Sequence, residues 1–106
     1  SSGNSFVHET ESQVILNGSY NINFTMDLVV KDTSLFDDLS KKLNSNLELS
    51  PIISDIFKDG EKKYGKRAWS SMIVKRMEDI NNINFRTEGF PAELTDNEPE
   101  EKGFEI

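Results

Sequence analysis

The sequence predicts an all-α fold, a small domain of about four helices followed by an extended C-terminal arm. Three observations predict it. Apolar residues recur at helical spacing in three separate stretches, Leu28 to Leu43, Ile52 to Tyr64 and Trp69 to Ile80. Helix-ending and helix-opening residues stand between them, at Asn17-Gly18-Ser19, Asn44-Ser45-Asn46, Ser50-Pro51, Gly65 and Asn81-Asn82. Beyond residue 82 no period is sustained, and Gly89, Pro91, Pro99 and Gly103 punctuate the chain.

Residues 5–16, SFVHETESQVIL, carry apolar side chains at both ends and a polar middle, and read as an incomplete helix. Gly18 takes the left-handed conformation that ends it. The next helix places Leu28, Leu35, Leu39 and Leu43 on one face, with Val29 and Phe36 beside them. Asp37–Lys41 and Asp38–Lys42 are i,i+4 pairs on the other side, each contributing about 0.3 kcal/mol. In the third helix Ser50 supplies a capping hydroxyl and Pro51 the first helical position. Ile52, Ile53, Ile56, Phe57 and Tyr64 form its expected buried side, and Gly60 weakens it by about 1 kcal/mol relative to Ala. In the fourth, Trp69, Met72, Ile73, Met77 and Ile80 are expected inside, with Lys75, Arg76, Glu78 and Asp79 mostly outside. The tail keeps Ile83, Phe85, Phe90, Leu94, Phe104 and Ile106, more apolar residues than a disordered segment carries, so an arm docked on a helical surface is expected.

Residues 21–32, NINFTMDLVVKD, fit two patterns. Ile22, Phe24, Met26, Leu28 and Val30 alternate with polar residues, which is the signature of a half-buried strand. The same run flows into the helical stripe that begins at Leu28.

A chain of 106 residues supports one modest core. The net charge of −7 argues against nucleic acid and against an anionic membrane surface, because phosphate binding needs a basic stripe. No run approaches the roughly 20 apolar residues of a membrane span, and no secretory signal is visible. The absence of cysteine excludes disulfides and thiol chemistry and suits the cytoplasm. The acid excess gathers at Asp96 to Glu101, read as a solvated segment.

Four constellations invite chemistry, and the residues argue against each. Gly60 to Lys66 has the glycine and lysine spacing of a phosphate loop, but Arg67 replaces the magnesium-binding Ser or Thr and a helix precedes it. A helix end with cations near its negative pole explains it better. His8-Glu9 lacks the second histidine of a zinc-protease helix. Asp96, Glu98, Glu100 and Glu101 lack the glycine and terminal glutamate of a calcium loop. Lys31-Asp32 alone is an ordinary surface pair. No metal site is expected.

Gly18-Ser19-Tyr20, Phe24, Leu28 and Lys31-Asp32 together resemble the C-terminal domain of the β-hydroxyacid dehydrogenase family, which includes 3-hydroxyisobutyrate dehydrogenase and tartronate semialdehyde reductase. Members carry an aromatic residue followed seven and eight positions later by Lys-Asp, as Phe24, Lys31 and Asp32 do. Ser2-Gly3-Asn4-Ser5, Pro51, Gly65 and Trp69-Ser70 fall where the family has its junction, helix entry and last helix. Arg86 and Gly89-Phe90-Pro91-Ala92-Glu93-Leu94 resemble an extension in one branch. Ala68 stands where the family has an acid.

The resemblance implies a 6-phosphogluconate dehydrogenase C-terminal-domain-like fold, with helix over 25–44 capped by Thr25 or Asn23. It implies a helical domain at 1–82 and a tail at 83–106. It implies NAD or NADP as cofactor, with Lys31 reaching it, Phe24 and Asp32 lining or supporting the active site, and Phe24 and Lys31 looking into one cleft from the same helix. The substrate class is a short 3-hydroxyacid and the expected assembly a homo-oligomer. No G-x-G-x-x-G fingerprint occurs, and the family's catalytic lysine has no match, so a Rossmann domain is expected upstream and no catalytic residue in these residues. The chain alone is then expected to be an inactive, substrate-side piece of an enzyme. The competing expectation is a helical interaction or assembly module with no enzymatic activity.

Overall fold

The computed structural model describes residues 3–94. Ser2, the acidic stretch Asp96 to Glu101, Phe104 and Ile106 lie outside the described residues. Four α-helices are present among them: α1 (Ser12–Asn17), α2 (Met26–Lys42), α3 (Ser50–Tyr64) and α4 (Ile73–Asn81). A π-helical turn, Val7–Glu11, leads into α1, and a 3-10 turn, Ser70–Met72, leads into α4. The all-α expectation holds.

The alternating stretch is helical from Met26 onward. Only Thr25 keeps extended geometry, in an isolated antiparallel bridge with Trp69. The expected side-chain cap is absent. Thr25 Oγ1 donates to the Asp27 carboxylate instead. The first helical amides are taken by backbone: Met26 N–H donates to the Ala68 carbonyl at 2.7 Å and Asp27 N–H to that of Lys66 at 3.0 Å. The loop 65–69 therefore seals the start of α2.

Gly18 ends α1 at φ 93°, and Gly65 ends α3. Ser50 is already helical and makes no cap bond, with Leu49 as the flanking residue, so that expected hydroxyl cap is corrected by one position. Pro51 sits in the first turn as expected. Gly60 lies inside α3, so no phosphate loop forms around it.

The core sits where the start of α2, the later half of α3 and the start of α4 meet. Met26 is fully buried there. A Cβ on Gly60 would stand 2.7 Å from Ile73 Cδ1 and 3.4 Å from Met26 Cε. Gly60 thus gives up helix propensity to let Met26 and Ile73 approach the α3 backbone. Val14, Ser54 and Ser71 are also sealed, and Ser71 Oγ donates to Glu11 Oε1 at 2.5 Å.

The expected helix faces need correction. Leu35, Phe36, Leu39 and Leu43 are 52–67 % exposed, and Leu28 is 39 % exposed. Ile52 and Ile53 on α3 are open as well. The buried positions of these helices are Met26, Ser40, Ser54 and Gly60. In α4, Met77 and Ile80 face out while Glu78, expected outside, is 2 % exposed. Periodicity locates an apolar face but does not say what covers it.

Of the surface pairs, Asp37–Lys41 forms at 3.4 Å. Between helices, Arg76 Nε donates to Asp59 Oδ2 at 2.7 Å, joining α4 to α3. Tyr64 Oη donates to Asp79 Oδ2 at 2.6 Å. Burial, then that hydrogen bond, pushes the Tyr64 phenol from 10.0 up to about 12. The unfolded chain releases this proton near pH 10, and the folded one keeps it until about 12. The stabilisation is full below pH 10 and is lost as the pH climbs through 12. Tyr64→Phe is therefore expected to lower the melting temperature at neutral pH and to flatten its alkaline decline, read by thermal melts from pH 8 to about 12. An unchanged alkaline slope would count against the Tyr64–Asp79 bond.

Candidate functional site

Two turns of the chain shape the surface around Phe24. Tyr20 and Asn23 both hold positive φ, 56° and 58°. Asn tolerates that conformation, but a tyrosine there is strained by about 1 kcal/mol or more, and such strain concentrates where function needs a fixed backbone. The strain is held by a buried network. Tyr20 Oη donates to Glu78 Oε1 at 2.5 Å. Arg86 donates to both, Nη2 to Tyr20 Oη at 2.6 Å and Nη1 to Glu78 Oε1 at 3.1 Å. The guanidinium also lies 5.0 Å from the Tyr20 ring centroid. Burial, and the bond given to Glu78, raise the Tyr20 pKa above its ordinary value. A Cβ on Gly18 would meet Arg86 Nε at 2.6 Å, so glycine is needed there for contact as well as for conformation.

The same network fastens the arm. Thr87 N–H donates to the Leu16 carbonyl at 3.0 Å. Asn17 Nδ2 donates to the Phe90 carbonyl at 2.9 Å, and Ser19 Oγ to that of Ala92 at 2.5 Å. The described part of the arm, residues 83–94, is tied down through polar bonds rather than through the apolar contacts expected. Ile83, Phe85 and Phe90, expected to dock it, stay 36–49 % exposed.

Phe24 lies two residues ahead of α2, so it and Lys31 do not stand on one helix as expected. Its carbonyl accepts the Ser70 N–H at 2.7 Å, which ties it to the turn before α4. Its side chain is 39 % exposed. Lys31 is exposed on α2, and among the described residues it makes no hydrogen bond or ion pair. Asp32 does not pair with it. Asp32 lines a groove of about 650 Å³ between α2 and the α2–α3 loop, with Phe36, Leu47, Leu49 and Ile53. One turn before Lys31, the Asp27 carboxyl is held below the usual range, by the Thr25 hydroxyl first, then by the Leu28 backbone amide and by Arg67, 3.5 Å away.

A second cavity, about 410 Å³, lies on the Phe24 side and is lined by Asn21, Asn23, Trp69, Glu93 and Leu94. Neither it nor the groove includes Phe24 or Lys31. Sequence reading missed the Tyr20–Glu78–Arg86 network, since nothing in the period of α4 marks Glu78 as buried. It also missed Glu93 as a neighbour of Trp69, which only the path of the arm brings about. His8 is exposed, and no group of three or more metal-binding side chains gathers among the described residues. None of the described helices is long and apolar enough to cross a membrane.

A family model described as NAD-binding of NADP-dependent 3-hydroxyisobutyrate dehydrogenase matches residues 1–77. No curated protein and no solved structure matches the chain.

Proposed function

This chain belongs to the family of NAD-binding domains of NADP-dependent 3-hydroxyisobutyrate dehydrogenase, and from that premise we propose that it is the substrate-side and assembly domain of an NAD(P)-dependent oxidoreductase acting on a short 3-hydroxyacid. The observation that carries the reading is Lys31, an ammonium group on a rigid helix with no partner of its own among the described residues.

That ammonium fits one anionic group of a dinucleotide. The start of α2 does not fit another, because its first amides are already bonded to Lys66 and Ala68. With no glycine fingerprint in the sequence, the bulk of the cofactor rests on a dinucleotide-fold partner domain. The nicotinamide, when bound, supplies the hydride acceptor. Lys31 holds the cofactor's edge, Phe24 walls the substrate side from its strained turn, and Asp32 sits one residue beyond Lys31 at the head of the apolar groove. The family's catalytic lysine has no match in the sequence, and on this reading the 106 residues by themselves do not turn over substrate.

The exposed row Leu35, Leu39 and Leu43, with Phe36, Leu49 and Ile52, supports an assembly face covered by a second copy. This face also favours the second reading, an assembly module without enzymatic activity.

The full parent protein, carrying the dinucleotide-fold domain and loaded with NAD or NADP, decides between them. Lys31→Ala is expected to cut kcat/KM for the cofactor about 10- to 100-fold, the loss of one charge-assisted bond, with partial rescue by Lys31→Arg. Wild-type kinetics in Lys31→Ala would remove that residue from the site. No turnover of any short 3-hydroxyacid with either cofactor would leave the assembly reading standing.

A further inference from the structure

The cavity of about 410 Å³ beside Phe24 has a chemistry of its own. It has two walls. One is the 20–24 turn, with Asn21 and Asn23, and the other is the end of the arm, with Glu93 and Leu94; Trp69 adds the aromatic group. Ser19 bolts the walls together, since its Oγ donates to the Ala92 carbonyl at 2.5 Å and accepts the Asn21 N–H at 3.2 Å. Trp69 is fixed by its bridge to Thr25. The arm residues lie beyond residues 1–77, the segment that the family model matches.

The polar groups around the cavity are underused. Asn21 Oδ1 accepts the Asn23 N–H at 3.2 Å, while the side chains of Asn23 and Glu93 make no hydrogen bond or ion pair among the described residues. Among the described lining residues only Glu93 is ionisable, and it is an acid. A carboxylate, an indole and two carboxamides around one small space favour a cation with N–H or O–H groups and repel an anion.

We propose that this cavity is a binding site for a small organic ammonium compound, held by Glu93 and Trp69 and oriented by Asn21 and Asn23. Its anionic wall sets it apart from the Lys31 surface, which attracts the opposite charge. No residue is shared between the two, so either can fail alone.

Trp69 is the single tryptophan of the chain, which makes its emission a direct reporter. The protein is titrated with ethanolamine and choline, and separately with propionate as an anion of similar size. A saturable change in emission is expected with the ammonium compounds and none with propionate. Glu93→Gln is expected to weaken ammonium binding at least tenfold with an unchanged melting temperature, because the arm's own tethers do not use Glu93. Glu93→Lys is expected to reverse the preference toward propionate. If neither ammonium compound gives a saturable response, or Glu93→Gln and Glu93→Lys both bind them as the wild type does, the site is lost.

Discussion

Arg86→Ala is expected to remove about 3 kcal/mol of stability, the low end for breaking a buried ion pair, because the arginine side chain is itself 37 % exposed. In a domain of this size that is a fall of about 12 to 24 °C in melting temperature. The reason is what the substitution leaves behind. Glu78 is 2 % exposed, and its Oε2 already has no hydrogen-bond partner. Without Arg86 the carboxylate stays buried with only the Tyr20 hydroxyl beside it. The arm also loses its anchor, since Arg86 Nη1 donates to the Ile15 carbonyl at 3.3 Å and to that of Phe85 at 2.7 Å. Hydrogen exchange at the Thr87 amide, which donates to Leu16, is expected to lose its protection along with the global stability. Arg86→Lys keeps the charge but not the fork, and falls between. A melting temperature within about 2 °C of wild type, with Thr87 still protected, would show that the network holds nothing.

The second large effect concerns association. Leu39→Glu combined with Leu43→Glu is expected to weaken self-association at least a thousandfold while the helix content stays the same. The two leucines are 52 % and 67 % exposed, so their replacement removes no core contact. Covering two leucines on each of two copies contributes about 4 kcal/mol or more, and burying charge in their place opposes assembly further. Light scattering at matched concentrations reads the result. Equal oligomeric masses for wild type and variant would take this face out of assembly, and a monomeric wild type would overturn the assembly proposal itself. A variant that loses its helical signal would instead place these residues in the fold itself.

The two outcomes bear on the proposed role in different ways. The Arg86 network holds Tyr20 in the turn that leads to Phe24, so its loss is expected to reach the proposed substrate wall before the proposed cofactor contact at Lys31. The α2–α3 face has no part in that turn. A monomeric variant that keeps the parent protein's cofactor kinetics would separate the two proposed roles of the domain.

Much of the fold was legible in the chain. Gly18, Gly65 and Asn82 ended their helices as the sequence reading expected, and Pro51 opened the first turn of α3. These are local rules, each decided by a residue and its immediate neighbours. Met26 to Val30 was not decided locally. The alternation of that run favoured a strand, and only the family resemblance chose the helix that the structure contains. Lys31, Asp32 and Phe24 were marked by the family resemblance, and the structure sets Phe24 just ahead of α2 and Lys31 and Asp32 within it.

By itself, the sequence determined where the helices end, because the residues that stop a helix act through backbone freedom within a few positions. Tertiary structure alone decided which faces are covered. It buried Glu78 and left Leu39 open, gave Gly60 its purpose against Met26 and Ile73, and brought Glu93 to Trp69 along an arm tied at Arg86. Those outcomes depend on contacts between residues far apart in the chain, and the energy of such a contact is written in no single stretch of it.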